Sequence, residues 1–306
     1  MASERTFEGV FTAVVTPFKR EQVDYEGFRI LVESQIGNGI HGIVVAGSTG
    51  ESQLLSHSEY LALIDCAVDV VKERVPLIVG VPHCATSKVI EEIVSLKERS
   101  VSAFLISTPY YVLPQQEGIF EHYRAITEKT KANIIVYNIP HRCGVNIENS
   151  TMLRIMDLPG VVAIKDASGN LECPTILKAA NERVPILMGN DTQYAAHRLH
   201  GGDGVISAVS NLIPSEMLAL ENAIRSGQYE RMKALHKAIF PLAKSIFCET
   251  NPGPLKYALS CVNKCITHNV RHPLVNASDS TKRTIQNALE EFEKEKIRLS
   301  ELCHNF

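Results

Sequence analysis

Residues 134–164 read IIVYNIPHRCGVNIENSTMLRIMDLPGVVAI, and they contain one complete unit of a repeated strand–helix pattern. It begins with the apolar run 134–137, continues through residues 150–156 with apolar side chains at helical spacing, and ends in the apolar run 161–164. Short apolar runs without polar alternation are typical of strands that are buried on both faces, as in parallel sheets. The stretch therefore predicts a strand, a helix and a second, parallel strand.

The same unit recurs along the first two thirds of the chain. The runs predicted as strands are 10–15, 42–46, 77–81, 103–106, 134–137, 161–164, 186–188 and 205–208. Helical patterns lie between them at 24–38, 56–73, 86–99, 117–130, 150–156, 174–181 and 192–200. Eight strands that alternate with helices predict an α/β protein, a (β/α)8 TIM barrel.

A doubly wound open sheet is the alternative fold for alternating strands and helices. It expects a G-x-G-x-x-G turn after the first strand. Here the first strand ends in Thr16-Pro17-Phe18-Lys19, without such a turn, so the barrel is favoured.

The last third of the chain has a different pattern. No strand is evident after residue 208, and residues 214–226, 228–247, 253–262 and 280–303 have helical patterns. We therefore expect two regions: residues 1–214 as the barrel that carries the active site, and residues 215–306 as a C-terminal helical appendage.

Charge and composition exclude several classes of protein. The formal net charge of −3 argues against nucleic acid or an anionic membrane as the main partner. No run approaches the ~20 apolar residues that span a bilayer, and residues 1–8 lack the apolar core of a signal peptide. None of the eight cysteines forms a C-x-x-C pair. We expect a cytoplasmic protein that binds neither nucleic acid nor membranes and holds no metal.

Lys165 is the most informative candidate residue. It follows the run 161–164 and so would lie at the C-terminal end of the sixth strand, the end at which barrel enzymes place their catalytic groups. Burial there would lower the pKa of its amine from about 10.4. A neutral amine is a nucleophile and can form a Schiff base with a ketone. The alternative is a lysine at a strand end that only reaches solvent or a structural carboxylate.

Three further features fall on the same face of the predicted barrel. Tyr137 ends the fifth strand and could pass protons to and from an imine, or only pack. Arg142 could clamp a substrate carboxylate, or lie on the surface. The loop Gly47-Ser48-Thr49-Gly50 could hold a carboxylate or phosphate, or form only a turn and helix cap. Because these features share one face, they support one another.

Taken in order, the motifs resemble those of the dihydrodipicolinate synthase / N-acetylneuraminate lyase family. They are GSTGES at 47–52, PYY at 109–111, YNIPxRxG at 137–144 and IKDASGN at 164–170. The resemblance covers essentially the whole chain. It implies class I aldolase chemistry, in which pyruvate forms an imine with Lys165. That imine is itself the electron sink, so the resemblance implies neither a metal nor an organic cofactor.

The resemblance also implies a role for each matching residue. Tyr137 would be the proton donor and acceptor, and Ser48 and Tyr111 would complete a proton relay with it. Thr49 would bind the pyruvate carboxylate, and the main chain at Ile206 would contact pyruvate. In the family the tyrosine that corresponds to Tyr111 reaches into the neighbouring subunit's site, which implies a homotetramer built as a dimer of dimers.

Arg142 favours the synthase branch of the family, in which an arginine holds the carboxylate of L-aspartate-4-semialdehyde. The expected reaction is condensation of that aldehyde with pyruvate on the way to diaminopimelate and lysine. A pyruvate-dependent lyase acting on N-acetylneuraminate or a 2-keto-3-deoxy sugar acid is the alternative, because synthases usually carry threonine at the position of Ser48 and lyases also use serine. Outside the enzymes, the alternative is a non-catalytic barrel that binds a keto acid.

Inhibition by lysine is expected to be weak or absent. The resemblance implies that lysine-inhibited members keep an amide near Cys84 and an acid near Lys88, whereas a cation at Lys88 would repel the effector's ammonium group. Ser52 and His57, on the other wall of that site, do match.

Overall fold

The computed structural model describes residues 7–263 and 266–303. In these residues parallel strands form a closed barrel, in which consecutive strands pair and the last strand pairs with the first. The barrel strands are β1 (Gly9–Ala13), β2 (Gly42–Val45), β3 (Leu77–Gly80), β4 (Ala103–Ser107), β5 (Ile134–Asn138), β6 (Val161–Asp166), β7 (Ile186–Met188) and β8 (Gly204–Ser207). The predicted (β/α)8 barrel is confirmed.

Helices connect the strands and continue after the last one. They are α1 (Tyr25–Gly37), α2 (His57–Val71), α3 (Thr86–Ser95), α4 (Gln116–Thr130), α5 (Pro140–Cys143), α6 (Asn149–Met156), α7 (Cys173–Ala180), α8 (Tyr194–Leu199), α9 (Pro214–Arg225), α10 (Tyr229–Ser245), α11 (Gly253–Val262) and α12 (Asp279–Cys303). Helix α9 packs against β1, and α10 packs against both α9 and α12. The predicted C-terminal helical appendage is therefore present.

Both faces of the barrel strands are buried, which explains their uninterrupted apolar runs. Side chains that point into the barrel form an inner cluster that includes Ile78, Ile135 and Ala163. Their neighbours along the strands, such as Val136 and Ile164, pack in the outer layer beneath the helices. Alternation along β6 therefore directs Lys165 to the same side as Ala163, as the sequence predicts.

Gly80, at the end of β3, lets the loop after β2 lie close against the barrel. A Cβ atom at this position would lie 2.2 Å from the carbonyl oxygen of Ala46 and 3.0 Å from the Cα atom of Gly47. Any side chain would push this loop away. The close approach fixes the start of the segment that carries Ser48 and Thr49.

Two small elements are not evident in the sequence. A two-stranded antiparallel hairpin pairs Phe18–Lys19 with Gln22–Val23, and α5 is a single turn that begins at Pro140 and ends before Gly144. Gly144 has a φ of 77°, a left-handed conformation that suits glycine and stops the helix. Elements this short carry no periodic pattern, so hydrophobic spacing cannot reveal them.

The structure bears on the expectation about membrane-spanning segments but not on all of the residues used for the expectation about a signal peptide. Among the described residues, none of the helices combines the length and apolar character that crossing a bilayer requires. Residues 1–6, on which the expectation about a signal peptide partly depends, lie outside the described residues.

Candidate active site

A cavity of about 560 Å³ opens at the C-terminal ends of the barrel strands. It is lined by Ala13, Ser48, Thr49, Tyr137, Ile139, His141, Arg142, Lys165, Ala167, Gly189, Asn190, Ile206, Ala208 and residues 247–251. The cavity thus brings together six of the seven site residues that the sequence predicts. The segment 247–251, between α10 and α11, adds a wall from the C-terminal region that the sequence analysis did not anticipate.

Lys165 lies at the bottom of this cavity, beside Tyr137. The two residues are register partners on β5 and β6, and the Lys165 Nζ atom is 4.3 Å from the centroid of the Tyr137 ring. The lysine is only 7% exposed. Burial lowers the pKa of Lys165 to about 8; nearby Arg142 also lowers it, whereas Asp191 raises it. The geometry therefore makes the neutral, nucleophilic amine accessible near physiological pH.

Tyr137 is held as a neutral phenol. Burial raises its pKa, and this effect outweighs the opposite effects of Arg142 and of a hydrogen bond with the Ser48 side chain. A protonated phenol beside an amine can donate a proton to a leaving hydroxyl group and take one back. Ser48, Tyr137 and Lys165 are thus arranged for proton transfer.

Thr49 and Arg142 are joined by Asn251, which the sequence analysis did not select. The Asn251 Nδ2 atom donates a hydrogen bond to Thr49 Oγ1 over 2.9 Å, and Arg142 Nη2 donates to the main-chain oxygen of Asn251 over 3.2 Å. Asn251 lies far along the chain, between two predicted helices. Its sequence context, Asn-Pro, indicates only a turn.

Glu51 anchors the loop that carries Ser48 and Thr49. Its backbone is left-handed, with a φ of 55°, and its buried carboxylate pairs with the fully buried Lys256 of α11. The other carboxylate oxygen accepts a hydrogen bond from the main-chain nitrogen of Arg271 over 3.0 Å. The C-terminal region therefore holds this loop through a buried ion pair as well as through Asn251.

Asp191 is a second residue whose place in the site the sequence does not reveal. Its position before a helical pattern indicates only a cap. In the structure it is buried, and its Oδ2 atom accepts hydrogen bonds from the main-chain nitrogens of Ala208 and Val209, both over 3.0 Å. It fixes the chain just after Ile206 and places a carboxyl group close enough to raise the pKa of Lys165.

Tyr111 is the predicted site residue that the structure leaves outside the cavity lining. It lies in the loop between β4 and α4, has a φ of 71° and is 91% exposed. Val112 and Leu113, which follow it, are also exposed. Within a single chain, Tyr111 is thus presented outward from the barrel.

In the ranges 7–263 and 266–303 no group of three or more histidine, cysteine, aspartate or glutamate side chains is arranged to hold a metal ion. The cavity does contain an amine, a guanidinium, hydroxyls and amides, and these groups suit an organic anion.

Comparisons with known proteins agree with the fold. A family model described as the dihydrodipicolinate synthetase family matches residues 6–292. The 4-hydroxy-tetrahydrodipicolinate synthase of Ehrlichia canis (strain Jake) is 38% identical over 292 residues, which cover 94% of this chain and 98% of the relative.

Solved structures give the same result. The 4-hydroxy-tetrahydrodipicolinate synthase of Methylacidiphilum fumariolicum SolV has a TM-score of 0.94 at 32% identity, covering 97% of this chain and 99% of that one. A dihydrodipicolinate synthase variant described as monomeric has a TM-score of 0.91 at 38% identity, covering 94% and 97%. Because the family model spans nearly the whole chain and these relatives match it along their full length, the chain belongs to the dihydrodipicolinate synthetase family.

Proposed function

We propose that the protein condenses pyruvate with L-aspartate-4-semialdehyde, the 4-hydroxy-tetrahydrodipicolinate synthase reaction of diaminopimelate and lysine biosynthesis. The observation that carries this proposal is the buried Lys165 amine above the Tyr137 ring, in a cavity that also contains Thr49 and Arg142. The protein is accordingly a lyase of the class I aldolase type.

The first half of the reaction uses the amine and the phenol. Neutral Lys165 Nζ attacks the ketone carbon of pyruvate, and Tyr137 donates a proton to the hydroxyl that leaves as water. The resulting iminium withdraws electrons, so the Tyr137 phenolate left by the previous step can take a proton from the neighbouring methyl group, and the iminium becomes an enamine. The Thr49 hydroxyl holds the pyruvate carboxylate during these steps, and the main chain at Ile206 contacts pyruvate.

The second half joins the two substrates. The enamine carbon attacks the aldehyde carbon of L-aspartate-4-semialdehyde, and the new alkoxide takes a proton from Tyr137. The amino group derived from the semialdehyde then adds to the imine carbon and displaces Lys165, which closes the ring and frees the enzyme. Arg142 binds the semialdehyde carboxylate and so orients the aldehyde toward the enamine.

Borohydride trapping tests the imine directly. With pyruvate and borohydride we expect one reduced pyruvyl adduct per chain, on the peptide that contains Lys165, and none in Lys165→Ala. Turnover with L-aspartate-4-semialdehyde then tests the acceptor. An adduct on another lysine, or turnover of N-acetylneuraminate in preference to the semialdehyde, would overturn the proposal.

Arg142→Ala separates the synthase from the related lyases. Since Arg142 holds the second substrate, we expect this change to impair condensation with the semialdehyde much more than pyruvate trapping. A condensation rate equal to that of the wild type would count against the proposed acceptor.

Assembly and location are further parts of the proposal. We propose a homotetramer built as a dimer of dimers, which the outward placement of Tyr111 supports; sedimentation equilibrium tests it. The cytoplasmic location expected from the sequence also stays a proposal, and cell fractionation tests it.

A further inference from the structure

Asn138 is the last residue of β5, and its side chain makes three hydrogen bonds outside the cavity. Its Nδ2 atom donates to Asn146 Oδ1 over 2.9 Å and to Asp166 Oδ1 over 3.0 Å. Its Oδ1 atom accepts from the main-chain nitrogen of Ile147 over 3.1 Å. Because Asn138 is only 3% exposed, loss of its amide would leave buried polar groups without these partners.

Two of these bonds close the loop of residues 139–147, which carries Arg142. The loop leaves β5 directly after Asn138 and returns to the same side chain at Asn146 and Ile147. Between these ends, the single turn α5 presents Arg142 to the cavity. Since a loop that is fixed at both ends samples fewer conformations, the closure limits where the guanidinium group can lie.

The third bond ties this loop to β6, the strand that carries Lys165. Asn138 and Asp166 are register partners on the two strands. The Asp166 carboxylate is buried, and it also accepts a hydrogen bond from Ser168 Oγ over 2.8 Å, which fixes its orientation. The amide of Asn138 therefore sets the loop relative to the strand that holds the reacting amine.

Arg142 depends on this support because its own side chain is held only lightly. It is an exposed residue, and within residues 7–263 and 266–303 its guanidinium donates one hydrogen bond, to the main-chain oxygen of Asn251. A long side chain has many rotamers to lose when it is fixed. The position of the guanidinium therefore depends largely on the backbone that carries it.

We propose that Asn138 is a positioning residue for Arg142: its amide joins the two ends of loop 139–147 and ties them to Asp166, which places the guanidinium for the second substrate. The inference rests on the proposed function, in which Arg142 binds the carboxylate of L-aspartate-4-semialdehyde. Among the described residues, those that line the cavity do not include Asn138. It acts through Arg142 and leaves imine formation to Lys165 and Tyr137.

Asn138→Ala tests this separation of the two substrates. We expect kcat/KM for the semialdehyde at saturating pyruvate to fall about tenfold or more, because the guanidinium is no longer held in place. The rate of borohydride-trappable imine formation with pyruvate should stay within about threefold of the wild type. A loss of general structure would lower both rates, so equal losses would overturn the inference.

The double variant N138A/R142A tests whether Asn138 acts through the arginine. If it does, the two changes are not additive, and N138A should alter condensation by less than about twofold in the R142A background. A loss as large as in the wild-type background would show that Asn138 acts by another route and would overturn the inference.

Exchange of the two side chains keeps the inference testable if N138A fails to fold. N138D alone places two carboxyl groups face to face, whereas in N138D/D166N the amide at position 166 donates to the carboxylate at position 138. The Asn146 amide can turn to donate to the same carboxylate, and the nitrogen of Ile147 keeps its acceptor. We expect the exchange to restore most of the kcat/KM for the semialdehyde that N138D loses. No recovery would refute the inference.

Asn133→Ala is the matched control. Asn133 directly precedes β5, at the end of the strand opposite Asn138, and its amide donates to the main-chain oxygen of Ser102 over 3.1 Å. Its constants for both substrates should stay within about twofold of the wild type. The wild-type protein distinguishes the two proposals. No turnover of the semialdehyde would refute the proposed function and this inference with it, whereas turnover with equal losses in N138A would refute only the role of Asn138.

Discussion

Burial of the Lys165 amine sets the pH at which the first chemical step can begin. Only the neutral amine attacks pyruvate, and burial lowers its pKa to about 8. Below that value the neutral fraction falls about tenfold per pH unit. We therefore expect the initial rate of borohydride-trappable imine formation to rise with pH up to about 8 and then level off. A rate that keeps rising toward pH 10 would indicate an ordinary, solvated lysine.

Asp191 opposes the effect of burial on that amine, and its removal should shift the pH profile. Since its negative charge raises the pKa of Lys165, Asp191→Asn should move the acidic limb of the profile to lower pH. It should also reduce kcat about tenfold or more, because the cationic imine loses a buried counter-charge.

Asp166→Asn is the control for this variant. Asp166 is next to Lys165 on β6 but points to the outer layer, where it accepts hydrogen bonds from Asn138 and Ser168. Its removal should affect stability and leave the acidic limb in place. An identical shift in both variants would contradict a specific effect of Asp191.

The residues that sequence reasoning found, and those it missed, differ in where they lie along the chain. Lys165 and Tyr137 end apolar runs, so the barrel pattern alone places them at the catalytic face. Asn251 lies outside the repeat, and no periodicity connects it with Thr49. Asp191 is within the repeat, but its charge is interpretable only once the buried nitrogens of residues 208 and 209 are seen to face it.

The Glu51–Lys256 pair connects the loop after β2 with helix α11. Both side chains are buried, so removal of one leaves an uncompensated charge. We expect Lys256→Met to lower the free energy of unfolding by about 3–5 kcal/mol and to reduce activity, since the same loop carries Thr49. Urea denaturation measures the first effect and steady-state kinetics the second.

The double variant E51Q/K256M provides the control. Since it buries no unpaired charge, we expect it to recover most of the lost stability. A single variant within about 1 kcal/mol of the wild type would show that the pair does not anchor the loop.

Residues at and just before the start of α3 underlie the prediction that lysine inhibits the protein weakly or not at all. Lys88 is exposed, and its Nζ atom lies 2.6 Å from a carboxylate oxygen of Glu91. Cys84 has a thiol side chain in place of a side-chain amide. His57 Nδ1 lies 3.5 Å from the buried carboxylate of Glu92. With a cation where an acid would be needed, we expect little inhibition by lysine. An inhibition curve measures this, and sensitivity below 1 mM would refute the prediction.

Element boundaries were predictable where burial leaves a mark on the sequence, either as an uninterrupted apolar run or as apolar residues at helical spacing. The strand runs coincide with β1–β8 within about two residues, because their side chains are buried on both faces. Helix α3 was expected to extend to residue 99, yet it ends at Ser95, since residues 96–99 continue as turns with only local hydrogen bonds. Short turns of this kind follow from local geometry, which hydrophobic spacing does not record.

The outward placement of Tyr111 predicts that two chains complete each other's sites. Lys165→Ala and Tyr111→Phe chains should each be impaired alone. When they are co-expressed, we expect activity to recover, because a mixed dimer contains one site with Lys165 from one chain and Tyr111 from the other. If Tyr111 served only its own chain, every mixture would stay as impaired as its components.

Pairing of the first barrel strand with the last has a consequence for how the protein is made. Residues 9 and 204 are register partners, so the sheet keeps open edges until the ribosome has released more than two thirds of the chain. The cavity needs residue 251 as well. We therefore expect the nascent chain to remain inactive during most of translation. Its unpaired strand edges are then exposed to chaperones or to other nascent chains.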